Sequence, residues 1–513
     1  MAIKTFAAID VGSYELSMKI FELKGNDGMR QIDHIRYRLD LGTETYATGK
    51  LSYEKVDELC RILREFSTIM KAYKVDGYKA YGTSAIRETQ NALILLDQIR
   101  NRSGIKVDVL SNSEQRFLDY KSIASKGDIF NRIIKKGTAI VDIGGGSLQI
   151  SLFDKEKLIT TQNIKLGVLR IRDAIHKLQP RRTQVDDLLQ EMISNHLAVF
   201  KKLYLSERTI SNIIIVDDYV SAVLPKKAEG ADGSGIVSAE QFYQFADELK
   251  TGTDAELASI MGIPEENVGL LSISTALVKN LMQLMEADTL WAPGVTLSDG
   301  IAYEYAEKHN HLMIEHDFEN DILSCAKNIS KRYMGSKGRG ETLTDIALTI
   351  FDSMKKVHGL GKRERLLLQI ATILHDCGKY ISLVNVGECS YQIVMATEII
   401  GLSHIEREMV AEIVKYNHVD FLYYSEIGKS VTLDKASYLI IAKLTAILRV
   451  ANGLDRSHKQ KFRNITAVLK EDELQLNVQE GIDITFEKGM FDSKADFFEE
   501  VYSVRPVIKT KKH

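Results

Sequence analysis

Asp142-Ile143-Gly144-Gly145-Gly146-Ser147 ends the apolar run Thr138–Val141, and 132 residues earlier Asp10-Val11-Gly12-Ser13 ends the run Thr5–Ile9 in the same way. Each turn is followed by an alternating stretch, Leu148-x-Ile150-x-Leu152 and Leu16-x-Met18-x-Ile20, the pattern of a strand returning antiparallel. An offset of domain size between two copies of one strand–turn–strand unit predicts two related α/β halves facing each other across a cleft. The turns also carry chemistry. Consecutive glycines expose backbone N–H groups at a strand's carboxyl end, where a phosphate oxygen is received, and an Asp beside them can hold Mg²⁺.

Outward from these turns the strand and helix signals continue to alternate. Tyr78–Tyr81 reads as a strand running into Gly82-Thr83-Ser84-Ala85-Ile86-Arg87, and Ile105–Leu110 as another, with Ser113 as N-cap of the helix after it. Arg87 falls in a first helical turn, where its guanidinium and the helix start both address an anion. Asn212–Val216 before Asp217-Asp218, and Val295–Leu297 before Ser298-Asp299-Gly300, read as further strand ends.

Beyond these the pattern changes. Eight of the twelve histidines lie between His309 and His458, and Asp321–Tyr333, Thr342–His358, Arg363–His375 and Arg407–Asn417 have helical apolar spacing. From Asn464 strands return at Ile465–Leu469, Leu474–Val478 and Ile482–Phe486, followed by a helix near Lys494–Tyr502 and an end strand. The expected organisation is two α/β halves over 1–125 and 126–305, a helical domain over 306–460 and a small α+β tail over 461–513. His309, His311 and His316 read as a surface linker.

Composition bounds the rest. The 513 residues are 44% hydrophobic, enough for packed cores and incompatible with general disorder, and the length suits several domains. A net charge of −3 gives no global pull towards nucleic acid or anionic lipid. No basic stretch with interleaved aromatics suggests DNA, and no run of about 18 uncharged apolar residues suggests a membrane span. Four cysteines without a Cys-x-x-Cys pair point to free thiols in a reducing compartment, so the expected location is cytoplasmic.

Asp10-Val11-Gly12-Ser13, Gly82-Thr83-x-x-x-Arg87, Asp142-Ile143-Gly144-Gly145-Gly146-Ser147, Leu166-Gly167 and Ser298-Asp299-Gly300 stand in an order and spacing that resembles the exopolyphosphatase/guanosine pentaphosphate phosphohydrolase (Ppx/GppA) family. The resemblance implies a duplicated actin/Hsp70/sugar-kinase-like (ribonuclease H-like) fold, then an all-α HD-like domain and a small C-terminal α+β domain. It implies Mg²⁺-assisted attack of water on a terminal phosphoanhydride of polyphosphate or guanosine pentaphosphate, and a homodimer. Carried onto this sequence, Gly12, Ser13, Thr83, Arg87, Gly144, Gly145, Gly146 and Ser147 would hold phosphate, and Asp10 and Asp142 metal.

Departures from the family pattern cluster at the catalytic positions. Gln115 stands where the family has its presumed base, Gln149 where it has a second glutamate, Tyr14 where it has Asn, and Asp217-Asp218 where a third glycine-rich loop is usual. A glutamine accepts no proton at neutral pH, which leaves Glu114, one position earlier, as the acidic candidate for base. The departures also motivate a second reading, a non-catalytic binding protein for phosphate-rich ligands. In the helical region His358, His375-Asp376 and Asp455 stand in the ligand order of metal-dependent HD phosphohydrolases, with His418 as a phosphate contact or further ligand. That gives a third reading, a divalent-metal phosphohydrolase site there.

Overall fold

The computed structural model describes residues 4–24, 28–179, 184–205, 208–227, 235–309, 311–312, 316–426, 433–479 and 483–511. The chain divides into two compact units, Met1–Phe318 and Glu319–His513. Ile482 of the expected tail strand lies outside the described residues.

The first unit holds two sheets of related plan. One is ordered β3-β2-β1-β4-β5, from β1 (Lys4–Val11), β2 (Glu15–Leu23), β3 (Met29–Arg38), β4 (Gly77–Gly82) and β5 (Val107–Val109). The other is ordered β10-β11-β9-β6-β7-β8, from β6 (Thr138–Ile143), β7 (Leu148–Asp154), β8 (Lys157–Ile164), β9 (Asn212–Asp217), β10 (Ile236–Ser238) and β11 (Thr289–Trp291). In each, an antiparallel three-strand meander is joined to a parallel strand at its first member, β1 to β4 and β6 to β9. Asp10 pairs with Ser17 and Asp142 with Gln149, so the duplication holds down to register. Parallel central strands need cover on both faces, and β6 is accordingly buried along its whole length.

Helices supply that cover. Tyr53–Ala72 starts where Ser52 accepts from Lys55 N, and buries Val56, Leu59, Cys60, Leu63, Phe66 and Met70, one stripe at helical spacing, in the core of the first sheet. Val268–Met285 does the same for the second sheet through Leu271, Leu277, Val278 and Leu281.

A third apolar cluster crosses from one half to the other. Helix Leu297–Lys308 sets Ile301, Ala302 and Ala306 against Phe6 and Ala8 of β1, with Tyr305 stacked on Phe6 at 3.9 Å. The chain therefore returns to the first half before leaving the unit, and the expected boundary at 305/306 falls inside this helix. Gly300 allows the return, since a Cβ there would lie 2.0 Å from the Leu118 carbonyl oxygen of helix Asn112–Ala124. The strand expected at Val295–Leu297 does not form. Leu297 opens the helix, which Asp299 caps by accepting from Thr296 N at 2.7 Å, and the nearby strand is Thr289–Trp291.

His311 and His316, expected in a surface linker, are packed instead: His311 is buried, and His316 lies edge-on to Tyr120, Phe130 and Phe318.

The second unit is helical, with Lys337–Ser353, Lys362–Leu374, Val386–Ala396, His404–Tyr416 and Lys435–Leu454 as its main elements. A sheet ordered β12-β13-β14 (Thr466–Lys470, Glu473–Gln479, Arg505–Lys511) follows, with helix Thr485–Tyr502 between its last two strands. That helix begins where a strand over Ile482–Phe486 was expected. It packs into the same unit, as Tyr502 OH donates to Lys443 O at 2.8 Å, so 460/461 does not separate two compact bodies. Glu265–Met285 and Lys435–Leu454 are long and apolar enough to cross a bilayer, and both are mostly buried within the structure, as core helices are.

Candidate active site

The two glycine turns come together. Gly12 N donates to Glu15 O at 3.1 Å and Gly144 N to Ser147 O at 2.9 Å, closing each hairpin. A Cβ on Gly145 would lie 3.0 Å from Ser13 Cβ, so the tips of the two loops are in van der Waals reach. Helix Val168–Leu178 supports the second loop from behind, with Val168 N and Leu169 N donating to the carbonyls of Gly144 and Gly145. Gly167 is required for that approach, because a Cβ there would be 2.2 Å from Gly145 O.

Three hydroxyls close the gap between the loops. Ser13 Oγ lies 2.8 Å from both Tyr46 OH and Ser84 Oγ, and those two are 2.6 Å apart. Tyr46 has no signal in the sequence. Its hydroxyl would be 2.3 Å from a Cβ on Gly146, and Arg170 lies over its ring at 4.1 Å while donating to Gly146 O at 2.7 Å. Thr83 serves as a tie, its N and Oγ1 both reaching Val11 O, at 3.2 and 3.4 Å.

Behind the loops lies a chain of polar groups. Arg87 donates to Leu110 O at 2.7 Å and reaches Gln115 Oε1 at 3.5 Å, and Gln115 Nε2 reaches Asp142 Oδ2 at 3.4 Å. Gln149, opposite Asp142 across the β6–β7 ladder, accepts from the buried Arg116 at 3.0 Å.

The register of helix Asn112–Ala124 decides which carboxylate can act. Its N-cap is Ser111, two residues before the expected Ser113, and Glu114 is the N3 partner of a capping box, accepting from Ser111 N at 2.9 Å. Glu114 is thus turned back to the helix start while Gln115, about 100° further round, faces Asp142. The expectation that Glu114 supplies the base is corrected: it is a cap.

One turn after Gln115 comes Asp119, a buried carboxyl in hydrogen-bond contact with Asp142 that sequence reasoning missed. Its i, i+4 spacing from Gln115 was the available signal.

Carboxyls dominate the electrostatics. Asp142 is pushed up to about 7 by burial, opposed by Arg116 and reinforced by Asp218. Asp218 is raised to about 6 by burial and Glu15, with Arg36 opposing. Asp10 and Asp119 are raised well above the usual carboxylate range, again by burial first, then by Asp218 for Asp10 and by Asp142 for Asp119. Asp217 plays a different part from its neighbour, accepting from Tyr219 N, Val220 N, Ser221 N and Ser274 Oγ as a helix cap.

This surplus of buried negative charge suits a hard divalent cation. Asp10 Oδ1 is buried without a hydrogen-bond partner among the described residues, and the donor set of carboxylate oxygens is the one Mg²⁺ takes. Among the described residues no three such groups converge at ligand distance on one point, so an ion here would draw much of its shell from water and phosphate oxygens.

With this geometry in view, known proteins supply a comparison. A profile of the Ppx/GppA phosphatase family matches residues 20–309, and one of domain III of the same family matches 324–490. The chain belongs to the Ppx/GppA phosphatase family. A guanosine-5'-triphosphate,3'-diphosphate pyrophosphatase of Photobacterium profundum is 20% identical over 415 residues, 80% of each chain. A bifunctional 3-dehydroquinate synthase/phosphatase of Fusobacterium nucleatum is 24% identical over 213 residues, 39% of this chain and 32% of its own. The crystal structure of an exopolyphosphatase from Cytophaga hutchinsonii is covered completely by 60% of this chain, at a TM-score of 0.52 and 19% identity. The first unit accordingly has the duplicated actin-like fold of Ppx/GppA proteins.

The histidines and aspartates of the second unit do not form the expected metal set. His358 has both ring nitrogens engaged, Nε2 with Phe351 O at 3.0 Å and Nδ1 with Leu360 N at 2.8 Å, so it offers a metal no lone pair. Burial keeps this ring neutral by lowering its pKa. His418 Nε2 is bonded to His375 O at 2.6 Å. Asp376 and Asp455 are brought together, and what lies between them is Arg339, with NH1 3.4 Å from Asp376 Oδ2 and Nε 3.5 Å from Asp455 Oδ2. A resident divalent ion does not fit this arrangement.

Proposed function

We propose that the first unit is a Mg²⁺-dependent phosphoanhydride hydrolase site that receives the terminal phosphates of inorganic polyphosphate or guanosine pentaphosphate between its two halves and turns them over slowly. The observation that carries this reading is the line Arg87–Gln115–Asp142 behind two converged glycine turns. The relatives are named for guanosine-5'-triphosphate,3'-diphosphate and for polyphosphate, which supports the ligand class.

Each residue has a part. Backbone and hydroxyls of Gly12, Ser13 and Gly144–Ser147 would hold phosphate oxygens, and Arg87 would neutralise charge at the group being attacked. Asp10 and Asp142, completed by water and phosphate oxygens, would hold Mg²⁺, which when bound withdraws charge from the phosphate oxygens. Gln115 lies where a base would meet the attacking water. Its amide can orient that water and cannot take its proton, and removing a general base typically costs about 10²–10⁴ in rate.

A second reading, ligand retention without turnover, is favoured by the amides at both 115 and 149. Two measurements separate the readings: calorimetric binding of polyphosphate and guanosine pentaphosphate with Mg²⁺, and phosphate release from each. Binding with slow release supports the first reading, and binding without release the second. Absence of binding to either ligand refutes both. The homodimer and cytoplasmic location belong to the same proposal, and light scattering and cell fractionation test them.

A further inference from the structure

We infer that a cavity lined by both chain crossings of the first unit is a binding site for a small carboxylate with an apolar body, whose charged end is received by Lys19. This inference is independent of the phosphate cleft.

The chain passes between the two halves twice, once from helix Asn112–Ala124 towards β6 and once from β11 back to helix Leu297–Lys308. Both crossings line one cavity of about 550 Å³, the first through Ser125, Lys126 and Gly127, the second through Gly294 and Val295. That volume falls within the ~300–1,000 Å³ of small-molecule sites. Gly127 and Gly294 have φ of 55° and 64°, the left-handed region that glycine enters without a Cβ clash, so each crossing turns on a glycine. A molecule held here touches both crossings at once and fixes their separation.

The chemistry of the wall selects the occupant. Lys19, on β2, lines the cavity and is only 4% exposed. Its Nζ donates to Asp299 Oδ2 at 2.7 Å, an oxygen that also accepts from Thr296 N at 2.7 Å and from Thr296 Oγ1 at 3.0 Å. This is the one hydrogen bond of Lys19 among the described residues. An ammonium carries three protons, so two donors withdrawn from bulk water remain for an acceptor in the cavity. At neutral pH the charged side chains on the wall are Lys19, Lys126 and Asp299, which leaves one net positive charge. One positive charge suits a carboxylate better than a doubly charged phosphate monoester. The same field reaches His34, the cross-strand partner of Lys19, which burial and then Lys19 and Arg36 push down to about 4. Phe21 and Val295, both buried, supply apolar wall for the body of the ligand, and Lys126 stands on the exposed rim.

The test titrates 1-naphthoate into the full-length protein by calorimetry. It should bind one equivalent per chain, about tenfold or more tighter than the uncharged 1-naphthamide and no weaker than 1-naphthyl phosphate. Ser125 and Lys126 are both exposed, so Lys126→Glu, which reverses the rim charge, and Ser125→Trp, which fills the mouth, should melt like the parent protein. Lys126→Glu should weaken naphthoate about tenfold and leave naphthamide unchanged, and Ser125→Trp should abolish binding of both. Bound naphthoate should slow amide hydrogen exchange in both crossings, 125–127 and 294–296. The inference is overturned if naphthoate does not bind at about 1 mM, binds no tighter than the amide, keeps its affinity in Ser125→Trp, or leaves exchange in the two crossings unchanged. Binding of 1-naphthyl phosphate about tenfold tighter than naphthoate would overturn the assignment to a carboxylate.

Discussion

Gln115→Glu places a carboxylate oxygen where the amide nitrogen lies 3.4 Å from Asp142 Oδ2, while its other oxygen keeps Arg87 at 3.5 Å. At an effective dielectric of about 20, two unit charges at these separations interact by roughly 5 kcal/mol. Repulsion from Asp142 and attraction to Arg87 therefore nearly cancel, and burial, which already holds Asp142 near 7, dominates the balance. Below about pH 7 the introduced carboxylate and Asp142 should share one proton, and above it the new carboxylate becomes available as a base. Restoring a base should raise single-turnover phosphate release about 10²–10⁴-fold, equivalent to about 3–5 kcal/mol of barrier, with the gain growing from pH 6 to pH 8. The assay is Mg²⁺-dependent phosphate release from polyphosphate and from guanosine pentaphosphate. Gln115→Ala serves as the control that removes the amide without adding a base. If Gln115→Glu binds ligand and melts like the parent yet releases phosphate no faster at any pH, the assignment of position 115 is refuted.

Three further outcomes are expected. Glu114→Ala should cost about 1 kcal/mol of stability through the lost capping box and leave ligand affinity unchanged; calorimetry alongside thermal melts would expose a binding role if affinity fell instead. Gly300→Ala must push helix Leu297–Lys308 off Leu118 O, 2.0 Å from the new Cβ, and should destabilise by about 1–3 kcal/mol or more, so an unchanged denaturant midpoint would contradict the close packing. Asp142 titrates near 7 when folded against its ordinary 3.8, so its stabilising contribution is complete below about pH 4 and is lost as pH rises through 7. Because Mg²⁺ binds the ionised form, the rise in melting temperature with Mg²⁺ should be larger at pH 8 than at pH 5.5, and an equal shift at both would argue against Asp142 as a ligand.

What was legible in the sequence was local. The two strand–turn–strand units, their offset and the Asp at each strand end follow from alternation and from glycine chemistry within a few residues, and all reappear with matching register. The helices of the second unit were legible for the same reason, as stripes of apolar residues at helical spacing. Misses came where a neighbouring signal competed: Ser113 was read as the cap that Ser111 provides, and Ile482–Phe486 as a strand where a helix begins at Thr485.

By itself, then, the sequence determined the duplicated α/β plan, the two glycine turns and the family, because each depends on short-range backbone geometry repeated along the chain. The tertiary structure decided which side chains face one another. Capping at Ser111 turns Glu114 away and Gln115 towards Asp142, and packing adds Asp119 and Tyr46 to the cleft. In the second unit it sets Arg339 between Asp376 and Asp455, 37 and 116 residues further along the chain. Such meetings depend on helix register and on contacts between distant segments, where one residue of shift rotates a side chain by about 100° and replaces a base by a cap.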